Sequence, residues 1–155
     1  MDPVAPTLDD DGVMDFVAAG LVVLEGLIGP GFNRRCDDLA PGNCDAFIAS
    51  ADFTREVLLH PQVAGVARSL LGADFLVPRG GHHHFFKEPH LGQTWHSDGL
   101  SGSGYDVTEL QCYYYPHAVA IADGPTMVLP GSHCRAVDRD RHRVNHCALH
   151  VVQVC

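Results

Sequence analysis

The chain has 155 residues and a mass of 16.7 kDa, which is enough for one domain with a single core. Hydrophobic residues make up 46% of the chain and charged residues 19%, and this composition excludes a disordered chain, a collagen-like repeat and a coiled coil. The net charge of −9 disfavours nucleic acid and anionic membranes as partners.

The sequence contains no apolar run approaching the roughly eighteen residues of a membrane span, and its start, MDPVAP, lacks the pattern of a secretory signal. It ends without a peroxisomal tripeptide. We therefore expect an intracellular, cytoplasmic protein. In such a compartment the six cysteines are expected to be reduced thiols.

The first half of the chain is dominated by helical patterns. Acidic residues open the segment 8–19, and Val13, Phe16 and Val17 follow at helical spacing, which predicts a short amphipathic helix. The apolar run 20–28 predicts a buried strand that turns at 29–31, whereas 32–50 is ambiguous. Residues 53–71 predict a helix pair, with Pro61 in the first turn of the second helix and Gly72 at its end.

After Gly72 the pattern changes to short β-segments separated by Gly-, Pro- and Ser-rich turns. The predicted strands are 73–78, 82–86, 93–97, 109–116 and 125–130. Helices followed by closely spaced strands predict an α+β fold with a β-sandwich or barrel-like core.

The segment WHSDG contains a candidate metal-binding pair, His96 and Asp98. In an extended segment residues i and i+2 point to the same face, so an imidazole and a carboxylate converge. They supply two of the three ligands of a non-haem Fe(II) facial triad. The alternative is a turn aspartate beside a partly exposed histidine, and the pair alone does not decide between the two.

The order of motifs provides more information. WHSDG is followed by a YYY-containing strand and then by DGPTMVLPGSH, and it is preceded by LLHPQVAGVARSLLGADF and HHHFFKEP. This order resembles the phytanoyl-CoA dioxygenase family of Fe(II)- and 2-oxoglutarate-dependent oxygenases, over about residues 12–133. The resemblance implies N-terminal helices packed on a double-stranded β-helix, or jelly roll.

The resemblance also implies an enzyme that hydroxylates a small-molecule or acyl substrate, with Fe(II), 2-oxoglutarate as cosubstrate and ascorbate as a further candidate cofactor. By position, His96 and Asp98 match metal ligands, and Lys87 matches a lysine that helps to hold 2-oxoglutarate. Tyr114 matches an aromatic residue beside the cosubstrate. Tyr113 and Tyr115 differ from Tyr114 only by strand register and remain alternatives.

The sequence departs from the family pattern after the PGSH motif. In the family that histidine is not the distal iron ligand, so His133 is assigned to the turn, and 134–155 contains neither the later ligand strand nor its His-to-Arg motif. We therefore divide the chain into a partial dioxygenase-like domain, 1–133, and a divergent tail, 134–155. The expected jelly roll is incomplete, which favours a truncated, weakly active or inactive form over a shortened working enzyme.

A histidine-rich stretch, His82-His83-His84 with His90 nearby, allows a different interpretation. His82 and His84 would share a strand face and could bind zinc together with His90 or His96. The alternative function is therefore a non-catalytic metal- or ligand-binding jelly-roll module. The stretch could also be a polar strand, and the chain an unstable product without function.

Overall fold

The computed structural model describes residues 4–39, 43–84 and 107–133. The helical elements of these residues are α1 (Asp10–Ala19), α2 (Pro30–Asp37), α3 (Cys44–Ile48), α4 (Ala51–Phe53), a π-helical segment (Thr54–Leu58), α5 (Pro61–Leu71) and a 3-10 turn (Ile121–Asp123). The predicted tail, 134–155, lies outside the described residues, so the proposed domain boundary remains a prediction. Within the described ranges, no helix combines the length and apolar character that a membrane crossing needs.

Helix α1 confirms the amphipathic helix predicted over 8–19. The Asp9 side chain caps its start by accepting a hydrogen bond from the Gly12 backbone N–H at 2.9 Å. Phe16 is its buried residue, and the helix ends at Gly20. Gly20 has φ of +80°, a left-handed conformation that glycine adopts without the steric penalty of a Cβ atom.

The helix pair predicted over 53–71 is also confirmed. Helix α4 continues directly into the π-helical segment, and after a short turn α5 begins with Pro61 in its first turn and ends at Gly72. Proline suits this position because the first backbone N–H groups of a helix have no partner inside the helix. Ser50 caps the start of α4 by accepting the Phe53 N–H at 3.1 Å.

The N-terminal segment lies against α5. The Ser69 hydroxyl oxygen accepts hydrogen bonds from the backbone N–H groups of Thr7 and Leu8, both at 3.1 Å. A Cβ atom placed on Gly65 would lie 2.9 Å from the Ala5 carbonyl oxygen. Glycine at this position therefore allows the two backbones to approach closely.

The predicted jelly roll is wrong for the part of the chain that is described. The predicted strands 20–28, 73–78, 109–116 and 125–130 contain no β-strand, and neither do residues 82–84. Extended segments become a sheet only when their backbone groups pair in register with neighbours, and no such ladder forms within the described ranges. In the segment 20–28, Gly26 has φ of +67°, which interrupts an extended conformation.

The apolar residues of the segment 20–28 still reach the core. Ile28 forms a buried cluster with Phe32 of α2, Phe53 of α4 and Val57 of the π-helical segment. Leu24, Leu27, Phe47, Ile48, Leu58, Val63 and Tyr114 pack against this cluster. Hydrophobicity thus predicted a contact between 20–28 and the core, but Ile28 is the buried residue of this segment and Val23 is exposed. The β-branched composition predicted the wrong backbone conformation.

Candidate functional site

The predicted metal and cosubstrate residues Lys87, His96 and Asp98 lie outside the described residues. Their assignment therefore remains a prediction from the sequence. The structure does describe Tyr114, His133 and the first three histidines of the His-rich stretch, and it shows what each of them contacts.

The side chain of Tyr114 packs against helices α2 and α4. Its hydroxyl donates a hydrogen bond to the Asn33 side-chain oxygen of α2 at 2.6 Å. Its ring meets Phe53 edge-on at 5.5 Å between centroids, and Phe32 at 6.4 Å. Such edge-to-face pairs are favoured by the aromatic quadrupole. Both the ring and the hydroxyl of Tyr114 are therefore held by residues from the first half of the chain.

The neighbouring tyrosines contact other groups. The Tyr115 hydroxyl donates to the Thr126 hydroxyl at 2.8 Å, and the Tyr113 hydroxyl donates to the Gln111 side chain. Among the three alternatives for the cosubstrate residue, Tyr114 thus contacts the helical core, whereas Tyr115 contacts the segment that precedes the PGSH turn.

A second contact joins the same segment to α2. The Nδ1 atom of His117 lies 2.7 Å from the Asp37 carboxylate. Asn33 and Asp37 are four residues apart and therefore lie on one face of α2. Residues 114–117 thus lie along this face. The sequence analysis missed Asn33 and Asp37 as partners, because it left 32–50 ambiguous. A predicted α2 would have placed the two residues on one helix face.

His133 contacts the C-terminal end of α1. The Gly131 N–H donates to the Ala19 carbonyl at 3.0 Å, and the His133 ring lies 5.9 Å from the Phe16 ring, centroid to centroid. A Cβ atom on Gly20 would lie 2.8 Å from two atoms of the His133 ring. The PGSH turn is therefore placed against α1, and its histidine ring covers Gly20.

The His-rich stretch is described up to His84. The rings of His82 and His84 lie 4.8 Å apart between centroids, at an interplanar angle of 68°. The backbone N–H of His83 donates to the Asp45 carboxylate of α3 at 3.0 Å. Among the described residues, no group of three His, Cys, Asp or Glu side chains is close enough to bind a metal ion together.

Two further features describe the electrostatics around α2. Asp52 accepts hydrogen bonds from Arg55 at 2.7 Å and from Arg35 at 3.2 Å, and these contacts lower the pKa of its carboxyl group. Burial, with smaller contributions from Asp37 and Cys44, raises the pKa of the Cys36 thiol to about 11. Cys36 therefore remains protonated at neutral pH and is a poor nucleophile.

Comparison with known protein families identifies the family to which this chain belongs. The model of the phytanoyl-CoA dioxygenase (PhyH) family matches residues 32–148, about three quarters of the chain, so the protein belongs to this family. The matched range includes Lys87, His96, Asp98, Tyr114 and His133. It begins later than the resemblance seen in the sequence and continues past the PGSH motif. No curated protein and no solved structure matches the chain.

Proposed function

We propose that the protein acts as an Fe(II)- and 2-oxoglutarate-dependent dioxygenase that hydroxylates a small-molecule or acyl substrate. The observation that supports this proposal is the family match over 32–148, because members of the family usually use Fe(II) and 2-oxoglutarate. The match spans the HxD pair and the lysine that precedes it.

His96 and Asp98 would hold the iron. One imidazole nitrogen and one carboxylate oxygen are donor types that suit non-haem Fe(II), so the chemistry of the pair fits the metal. When bound, iron with 2-oxoglutarate supplies the oxidising chemistry, and the protein supplies binding and orientation. In this proposal the Lys87 ammonium group attracts a carboxylate of the cosubstrate.

The helices would support the cosubstrate side of the site through Tyr114. The contacts Tyr114–Asn33 and His117–Asp37 hold residues 114–117 along α2. An aromatic side chain that borders a ligand must be fixed by its own neighbours to be useful in orienting that ligand. Asn33, Phe32 and Phe53 provide this support for Tyr114.

We expect little or no turnover from the 155-residue polypeptide. Two protein ligands hold iron weakly, because the loss of a ligand or of its supporting contacts costs about 10–100-fold or more in metal affinity or activity. No third ligand is assigned. Four arginines follow the PGSH motif, Arg135, Arg139, Arg141 and Arg143, and of these Arg141 and Arg143 are our candidates for binding the far carboxylate. All four lie outside the described residues.

The family match over 32–148 supports the dioxygenase proposal over the alternative of a non-catalytic metal- or ligand-binding module, because members of the family usually use Fe(II) and 2-oxoglutarate. The dioxygenase proposal is therefore the one to test.

The test is anaerobic binding of 2-oxoglutarate, measured by calorimetry with and without Fe(II). We expect binding to depend on iron and to weaken by about tenfold or more in His96→Ala and Asp98→Ala. Lys87→Ala should weaken cosubstrate binding and leave iron binding in place, while Arg79→Ala, an exposed basic control, should change neither. Iron-independent binding that is unaffected by all three site variants would contradict the proposal. A parallel assay of succinate formation is expected to show little or no turnover.

A further inference from the structure

The proposed iron site does not use His82 and His84, which are separated by His83 in the sequence and whose rings contact each other. Two imidazoles bound side by side to one ion, in tetragonal or tetrahedral geometry, have centroids roughly 4.5–5 Å apart, because each metal–nitrogen bond is about 2.0–2.1 Å long and the centroid lies roughly 1 Å behind its nitrogen. The observed separation is 4.8 Å, with the rings at 68° to each other. Both side chains are exposed to solvent.

We propose that His82 and His84 form a two-imidazole site for a divalent transition-metal ion, separate from the iron site assigned to His96 and Asp98. Imidazole suits copper, nickel and zinc, and for a given donor set copper(II) binds most tightly. Water molecules complete the coordination. The net charge of −9 favours the approach of a cation to the protein.

The backbone between the two rings is held in place by α3. The His83 N–H donates to Asp45 at 3.0 Å, and a Cβ atom on Gly81 would lie 3.2 Å from the Ile48 side chain. The segment that presents the two rings thus lies against α3 before any metal binds. A restrained segment loses less conformational freedom on binding, which raises its affinity for the ion.

His83 provides a matched control. It lies between the two proposed ligands, and His83→Ala retains the backbone N–H that Asp45 accepts. The two ligand variants remove exposed side chains, so all three substitutions are expected to preserve the fold, which circular dichroism checks.

The experiment titrates copper(II) into the full chain by calorimetry in a non-chelating buffer. All variants also contain His96→Ala, so that the proposed iron site does not contribute. We expect His82→Ala and His84→Ala each to lower the copper affinity by about tenfold or more, and His83→Ala to change it by less than about threefold, because it removes no proposed ligand. Undiminished binding in the combined His82→Ala and His84→Ala variant would overturn the proposal. An equal loss in His83→Ala would also overturn it.

The outcome is independent of the dioxygenase proposal. Copper binding lost with His82 and His84 supports the second site whether or not the chain turns over 2-oxoglutarate. Iron binding lost with His96 or Asp98 tests only the dioxygenase site.

Discussion

Residues 10–71 and residues 107–133 differ in what fixes their conformation. The first region forms helices whose ends carry local signals, such as Asp9 before α1 and Pro61 at the start of α5. The second contains a single 3-10 turn in the described residues. Its place is determined by contacts to residues distant in sequence, including Asn33 and Asp37 of α2 and Gly20 after α1.

This difference shows how the two regions depend on each other. The helices bury Phe53 and Val57 in a common cluster, whereas the later region adds one half-buried ring, Tyr114, to that cluster. Loss of the helical core should therefore disturb both regions. Loss of an individual contact in 107–133 should mainly release that region from the helices.

The largest expected effect is that of Phe53→Ala. Phe53 is 5% exposed and contacts the rings of Phe47 and Tyr114. Removing a buried Phe side chain costs about 3–5 kcal/mol of unfolding free energy, measured by urea denaturation. Val17→Ala on α1 is the control, since Val17 is 46% exposed and should change stability by less than about 0.5 kcal/mol. Equal losses in both variants would contradict the assigned core.

Gly20→Ala should have an intermediate effect. Alanine at φ of +80° costs about 1–2 kcal/mol, and its Cβ atom would also collide with the His133 ring. We expect faster hydrogen exchange at the Gly131 N–H, which in the parent protein donates a hydrogen bond to the Ala19 carbonyl of α1. Adding His133→Ala should recover part of the lost stability by removing the collision. A double variant less stable than the additive expectation would show that His133 does not cover Gly20.

Tyr114→Phe should have the smallest effect, because it keeps the ring in the core and removes the hydroxyl that donates to Asn33. We expect a loss of about 1 kcal/mol, with a double-mutant cycle with Asn33→Ala showing coupling between the two side chains. Tyr113→Phe is the control, since its hydroxyl bonds within the same segment. If Tyr113→Phe costs as much as Tyr114→Phe, the link to α2 does not stabilise the protein.

The sequence predicted α1 and the helix pair of 53–71 because their signals are local, whereas it did not predict α2 and α3, which fall largely in the ambiguous segment 32–50. Acidic and capping residues, proline in a first turn and glycine at a helix end all act within a few residues of the positions they mark. The strand predictions over 73–78, 109–116 and 125–130 failed because a strand depends on a partner, and apolar, β-branched segments can pack on helices without forming a ladder.

The candidate site was predictable only in part. The motif order indicated the family, which the match over 32–148 confirmed. The residues that hold Tyr114 and His133 could not be predicted, because Asn33 and Gly20 contact them from positions that are distant in the sequence. Hydrophobic periodicity and motif spacing are local patterns, and they do not predict contacts between residues that are distant in the sequence.

The central claim is that the HxD pair binds the metal, whereas the PGSH histidine belongs to the turn that contacts α1. Anaerobic Fe(II) titration of His96→Ala and His133→Ala tests both parts together. We predict that His96→Ala lowers the iron affinity by about tenfold or more, and that His133→Ala stays within a few-fold of the parent. An iron loss in His133→Ala as deep as in His96→Ala would contradict the account and make His133 a ligand.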